Sequence, residues 1–322
     1  MIVLSLFDGI SCGRLALDRA EIKVDKYYAS EIDKYAIKIS NKNYPDIIQL
    51  GDINNWKNWN IEKPDLIMGG SPCQGFSMAG KMLNFEDPRS KLFFTFVEIV
   101  NYYKPKYFLL ENVNMKKEWV DVITSYMGVE PILINSSLVS AQNRKRLYWT
   151  NIPNVSQPED KKIFLKDIVE IDAEPVALHN IYGGFNENSV RISEGKSPTI
   201  RANSGGGSIP SFVKADFFYS PKAIEYMNRK TADGRNHWDF KHYSDITNNK
   251  SSAVVANFFK GVPYNVFKDW DCIRKFTPIE CERLQTLPDN FTEGISDTQR
   301  YKCIGNGWTV DIIAHILRSI KK

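Results

Sequence analysis

The feature that most constrains this chain is an alternation, through its first half, of short apolar runs with helical patterns. Ile2–Leu6, Tyr27–Ser30, Leu66–Met68, Tyr107–Leu110 and Ile132–Ile134 read as buried strands. Between them, Arg14–Ala20, Lys34–Lys42, Leu92–Tyr103 and Lys116–Met127 have helical spacing. Strands and helices in this rhythm predict an α/β fold, a parallel sheet covered on both faces. In such sheets ligands sit beyond the carboxyl ends of the strands. The residues that follow each strand are therefore where chemistry is to be sought.

Around Asn154–Val176 the pattern gives way to Pro, Asp and Lys. From there to about Trp270 the texture is Gly, Ser, Asn and aromatic residues, with Ser204-Gly205-Gly206-Gly207-Ser208 the clearest loop. This stretch reads as a second, smaller domain, mostly β or irregular. Helical patterns return at Ile279–Leu287 and Thr309–Ile320, and the last, amphipathic one is expected to pack on the first domain. The expected division is 1–176 for the first domain, completed by 300–322, and 177–299 for the second. Two domains suit 322 residues.

The net charge of +4 is unevenly placed. From His179 to Lys275, fourteen Lys and Arg face nine Asp and Glu, a local +5 that leaves −1 for the rest. That excess is compatible with a polyanionic partner, although it also describes a solvated face. A run of about 18 apolar residues is absent, so no membrane span is expected. The opening MIVLSLFDGI lacks a basic flank and a cleavage site, and reads as a first strand rather than a signal peptide. A cytoplasmic protein is expected. The cysteines at 12, 73, 272, 281 and 303 are too scattered for a disulfide framework or a zinc site, and with four histidines no metal is expected.

The strand ends are informative one by one. After the first comes Phe7-Asp8-Gly9-Ile10-Ser11-Cys12-Gly13, which is not G-x-G-x-x-G but still permits a tight turn and close backbone approach to a ligand. The second ends at Glu31, about 20 residues past the first glycine, where a carboxylate suits a ribose diol. Asp52, after the third segment, could accept from an adenine amino group. Singly, each is more readily an ordinary surface acid. Together they describe a nucleoside pocket without a phosphate cradle. The fourth strand runs into Gly69-Gly70-Ser71-Pro72-Cys73-Gln74-Gly75-Phe76-Ser77, with a cysteine among small residues at the functional rim. A thiol there needs its pKa lowered by its surroundings to act as a nucleophile. The fifth strand ends Glu111-Asn112-Val113. A further strand, Ser140–Leu147, sets Gln142, Arg144 and Arg146 on one side.

The runs LSLFDGISCG, GGSPCQGFS, ENV, QNRKRLYW, RKFTPIECERLQTLPDNF and YKCIGNGW occur in order. In these blocks the chain resembles the DNA (cytosine-5-)-methyltransferase family over nearly its whole length, least from His179 to Trp270. The first block, FDGI followed by a small polar pair, is similar to the vertebrate de novo branch. In the last, Gly307-Trp308 stand where Ser-Val is commoner.

The resemblance implies a Rossmann-like sheet with a target-recognition domain and S-adenosyl-L-methionine as methyl donor. The cofactor would contact Phe7, Asp8, Gly9, Ile10, Gly13, Glu31, Ile32, Asp52, Ile53, Ser71, Pro72, Leu92, Asn306, Gly307 and Trp308. It also implies that the Cys73 thiolate adds to cytosine C6, with Glu111 on N3 and the exocyclic amine. Arg144 and Arg146 would lie near O2 and the adjacent phosphate, or hold the cysteine loop. The partner would be double-stranded DNA with the target base flipped out, and the enzyme a monomer. Candidate DNA contacts are Gln74, Ser77, Gln142, Arg191, Arg201, Asn203 and Arg235, with Asn236 and Lys241 as further candidates; Arg suits guanine edges and Asn adenine edges. Transfer RNA is the competing substrate, disfavoured by the long second region. A DNA-binding protein without activity would be expected to lack Cys73 or Glu111. A dehydrogenase would leave Pro72-Cys73-Gln74 unexplained.

Overall fold

The computed structural model describes residues 1–71, 88–170, 176–180, 190–194, 209–211, 243–245, 250–252, 254, 266–269 and 272–321. A seven-stranded sheet forms the centre. Its strands are β1 (Ile2–Leu6), β2 (Lys26–Ser30), β3 (Ile48–Gln49), β4 (Leu66–Gly69), β5 (Tyr107–Val113), β6 (Ile132–Asn135) and β8 (Lys145–Thr150), in the order β3-β2-β1-β4-β5-β8-β6.

Neighbours from β3 to β5 pair in parallel, as the alternation predicts. The last strand differs: β8 runs antiparallel to both β5 and β6. The cause is the short link from Ser136 to Arg144, well under the dozen or so residues that a parallel crossover needs.

Residues of each strand alternate between two buried clusters. Val3, Ala29, Met68, Leu109 and Tyr148 face one side, with α1 (Cys12–Arg19), α2 (Lys34–Asn43), α5 (Pro278–Leu284), α6 (Asp297–Asn306) and α7 (Val310–Arg318). Leu4, Leu6, Ile67, Leu110, Leu147 and Trp149 face the other, under α3 (Pro88–Tyr103) and α4 (Lys117–Met127). Covering both faces explains why the strands are near-continuous apolar runs rather than alternating ones.

The carboxyl-terminal segment belongs to this core. Ile312, Ile313, Ile316 and Leu317 of α7 are fully buried, each contributing roughly 2 kcal/mol of apolar burial. Phe276, Cys281, Leu284, Leu287 and Phe291 lie in the same cluster as residues of β1 and α1. Helix α6, not anticipated in the sequence, buries Tyr301, Cys303 and Ile304.

In the second region the described pieces are short strands: β9 (Val176–Asn180) between β10 (Val190–Glu194) and β11 (Ile209–Ser211), and β14 (Val266–Asp269) between β12 (Tyr243–Asp245) and β15 (Cys272–Lys275). One more pair, β7 (Gln142–Asn143) with β13 (Ser251–Ser252), ties residues 250–254 to the first half of the chain. Lys250 reinforces this tie by donating to the carbonyls of Ser137 and Ser140 at 2.8 and 2.9 Å.

Candidate active site

The chain leaves β1 through a strained turn. Phe7 and Ser11 are left-handed, at φ 57° and 62°, which costs a non-glycine residue about 1 kcal/mol or more. Asp8 holds the turn in place. Its carboxylate accepts from Tyr27 Oη at 2.7 Å and from Ser11 Oγ, and Ser11 Oγ lies 2.6 Å from Ser40 Oγ. Burial is the largest influence on Asp8 and pushes its pKa up to about 6. Gly9, at φ +60°, has open space where a Cβ would stand. Only glycine adopts that backbone freely, and the space leaves the main chain approachable.

The Gly9 N–H donates to Glu31 Oε2 at 2.8 Å, and Oε1 accepts from the N–H groups of Ile32 and Asp33 at 2.7 and 2.8 Å. The carboxylate is thereby fixed between the ends of β1 and β2. Beside it Ile32 is 74% exposed. Asp52 is drawn to the same edge, because Leu50 N–H bonds Ala29 O and Ser30 Oγ donates to Gly51 O, both at 2.7 Å. Asp52 caps the short 3-10 turn that follows it.

A ribose diol asks for a fixed carboxylate, and a base asks for an apolar cover with close backbone approach; Glu31, Ile32 and Gly9 fit an adenosyl ligand. Ile10 and Ile53 are buried and offer only main chain. Gly13 sits inside α1, so close to Met68 that a side chain there would collide with it. Phe7 and Leu92 are half-buried against the second cluster.

The second focus is Glu111, buried on β5. Its Oε1 lies 2.9 Å from Arg146 Nε on the adjoining β8, and its Oε2 accepts from Trp308 Nε1 at 3.2 Å. Gly70 forms the wall: a Cβ there would stand 2.9 Å from Glu111 Oε2 and 3.0 Å from Trp308 Nε1. Next to Glu111, Asn112 Nδ2 donates to both Ser71 O and Ser71 Oγ at 3.3 Å. The ENV triplet thus anchors the residue two before Cys73. The sequence named Asn112 within the triplet but gave it no task.

The Q-x-R-x-R block splits in function. Arg146 faces Glu111, whereas Arg144 is buried with its guanidinium on main-chain carbonyls: Val254 O at 2.7 Å, Gly307 O at 3.0 Å and Gly305 O at 3.5 Å. Burial lowers its pKa to about 10, with the Arg146 charge adding to the effect. Arg144 therefore braces the Gly305–Gly307 backbone. Gln142, expected at the DNA, is also in the interior. Its amide donates to Leu284 O and to Gln285 Oε1 at 2.9 Å, and its carbonyl accepts from Val254 N at 3.2 Å. A polar side chain that is fully buried is kept there by such partners. Gln285, missed in the sequence, joins this network by donating to Ile304 O and Gly307 O at 3.0 and 3.2 Å. Asn306 is exposed and Gly307 buried.

Pro72, Cys73, Gln74, Ser77, Arg201, Asn203, Arg235, Asn236 and Lys241 lie outside the described residues. Arg191 lies in β10, opposite His179 of β9. Among the described residues no group of His, Cys, Asp and Glu is placed to hold a metal ion, and no helix is long and apolar enough to cross a membrane.

A doubly covered sheet with a nucleoside edge at β1 and β2, and an acid–arginine pair one strand further on, defines a Rossmann-like AdoMet-dependent methyltransferase. A sequence profile described as "C-5 cytosine-specific DNA methylase" matches residues 1–322, and the chain belongs to that family. It is 31% identical to the Type II methyltransferase M1.ScrFI of Lactococcus lactis subsp. cremoris, over 97% of this chain and 75% of that protein. It is 28% identical to Type II methyltransferase M.NlaX of Neisseria lactamica, over 99% and 96%. Among solved structures, the Entamoeba histolytica methyltransferase EhMeth shares the fold, with a TM-score of 0.70 at 17% identity over 99% of this chain and 97% of that one. The protein is a DNA cytosine-C5 methyltransferase that uses S-adenosyl-L-methionine.

Proposed function

We propose that the enzyme methylates a flipped-out cytosine in a specific duplex sequence through a covalent adduct between Cys73 and C6. The observation that carries this reading is the Glu111 carboxylate, gripped by Arg146 and Trp308 beside the Gly70-Ser71 stem that leads to Cys73.

Cytosine C5 is a weak nucleophile. Addition of the Cys73 thiolate to C6 of a ring protonated at N3 makes C5 enamine-like, and the Glu111 carboxylate accepts from N3–H and the exocyclic amine, so that the protonated ring is met by a fixed group of opposite charge. Arg146 holds Glu111 and supplies positive charge near O2. Gly9, Glu31, Ile32 and Asp52 hold the cofactor, which when bound supplies an electrophilic methyl group. Loss of the C5 proton and departure of Cys73 restore the aromatic ring. Arg144 and Gln142 position; they do not contact DNA.

Read this way, 1–176 and the return from about Phe276 form the catalytic domain, and the region between is the target-recognition domain. Arg191, Arg201, Asn203 and Arg235 supply its DNA contacts with Gln74 and Ser77. The enzyme works as a monomer in the cytoplasm of a bacterium or a phage host, as a restriction-modification methylase. The Type II names of its bacterial relatives support that setting.

The test is incubation with labelled S-adenosylmethionine and mixed-sequence duplex DNA, or transfer RNA, followed by mapping of 5-methylcytosine. Methylation at one recurrent duplex sequence, absent in Cys73→Ala, is expected. Label in transfer RNA alone, or persisting in Cys73→Ala, overturns the reading.

A further inference from the structure

Glu111 has two oxygens and two holders. Arg146 meets Oε1 at 2.9 Å, and the indole N–H of Trp308 meets Oε2 at 3.2 Å. We propose that Trp308 is a positioning residue for the reaction, its N–H fixing the face that Glu111 turns to the base. This goes beyond the expected role of Trp308 as cofactor wall.

Three further observations support it. First, the chain on either side of Trp308 is clamped. Gly307 O accepts from Arg144 Nη2 at 3.0 Å and from Gln285 Nε2 at 3.2 Å. Thr309 Oγ1 donates to Gln285 Oε1 at 2.8 Å and lies 2.9 Å from Ser136 Oγ. The indole is thus delivered from a rigid backbone, as a group that orients another must be.

Second, the clamp is built from the residues that lead into β8, the strand that holds the other oxygen. Gln142 and Arg144 grip the Trp308 segment and Arg146 grips Glu111 itself, so one short block places both sides of the carboxylate. Third, Gly70 makes room for the pair, since a Cβ there would press on both atoms of the contact. A carboxylate with one oxygen fixed can still swing about that contact; fixed at both, it presents one edge.

The inference rests on Glu111 contacting the base, so the experiment tests the two separately. Two variants remove the N–H: Trp308→Phe, which also loses one ring, and benzothienylalanine at position 308, which keeps the bicyclic shape. Steady-state methylation of duplex DNA is measured against both substrates, with Glu111→Gln in parallel. The expected result is a fall in kcat of roughly tenfold in both variants, the scale of one hydrogen bond to a charged group. The KM for S-adenosylmethionine should stay within about threefold, because an interaction that matters in the transition state lowers kcat rather than raising KM.

If Glu111→Gln abolishes turnover while both Trp308 variants keep kcat within twofold, this inference is wrong and the role of Glu111 stands. A KM increase that equals or exceeds the kcat loss in the benzothienyl variant returns Trp308 to the cofactor wall and also overturns it. Near-normal turnover in Glu111→Gln removes the reading on which both depend.

Discussion

Arg146 Nε sits 2.9 Å from Glu111 Oε1, on strands that pair antiparallel with Val113 opposite Arg146. The reversal of β8 makes this contact, since it sets the amino-terminal end of β8, where Arg146 lies, beside the carboxyl end of β5. Arg146→Ala and Glu111→Gln should each lower kcat by about 10²–10³-fold, the usual loss when a group that meets developing charge is removed. Cofactor affinity should change by less than about threefold. Titration of cofactor binding beside turnover checks both; a loss confined to binding would contradict the assignment.

Gly70 is small for a local reason. Gly70→Ala places a methyl group 2.9 Å from Glu111 Oε2 and 3.0 Å from Trp308 Nε1, so the carboxylate has to shift to admit it. We expect kcat to fall at least tenfold while stability falls by no more than about 1–3 kcal/mol, the usual cost of overpacking. Urea denaturation beside a turnover assay separates the two effects, and unchanged turnover would show that the carboxylate is free to move.

Arg144 braces the carboxyl-terminal return. In Arg144→Met the carbonyls of Val254, Gly305 and Gly307 lose a charged donor, and buried acceptors left without partners should cost about 2–4 kcal/mol in total. Denaturant midpoints report this directly. A loss under about 1 kcal/mol would mean that other donors or water replace the guanidinium.

Asp8 gives a pH signature. Burial, its largest influence, raises the carboxyl from 3.8 to about 6, so the folded chain binds this proton more tightly than the unfolded chain does. The contribution is complete below the unfolded value and is lost as pH rises through about 6, a swing of at most roughly 3 kcal/mol. Asp8→Asn removes the titration. The difference in Tm, wild type minus variant, should therefore favour wild type near pH 4–5 and shrink by pH 7. A difference that is flat with pH would show that Asp8 does not titrate there.

Most of the sheet was legible because strands buried on both faces have to be apolar throughout. Ile2–Leu6 was read to the residue, and Tyr107–Leu110 lies within a strand that continues to Val113. The reversal of β8 was not in the periodicity, which is blind to strand direction; the short link from Ser136 to Arg144 was the signal available. Helix α6 escaped because DTQRYKCIGN buries Tyr301, Cys303, Ile304 and Gly305 but has no sustained apolar stripe.

At the site, residue types at strand ends pointed to Glu31 and Glu111, which the fold fixes by hydrogen bonds or an ion pair. What the sequence could not express was which neighbour each side chain meets. Gln142, Arg144 and Arg146 alternate onto one side as expected, yet the first two meet carbonyls of a segment more than 100 residues away. A polar residue on a strand looks the same in sequence whether it faces solvent, DNA or a buried backbone. Trp308 likewise read as cofactor contact alone, because its bond to Glu111 links residues 197 positions apart.

The central claim is a temporary bond between the Cys73 sulfur and C6 of the target cytosine. Duplexes with 5-fluorocytosine at the methylated position cannot lose the C5 substituent, so turnover should stall at that bond. With cofactor present, wild type should form a protein–DNA adduct that survives denaturing electrophoresis, with the crosslink on Cys73 by mass spectrometry, and Cys73→Ala should form none. Absence of an adduct on a duplex that the enzyme methylates, or a crosslink at another residue, would contradict the account.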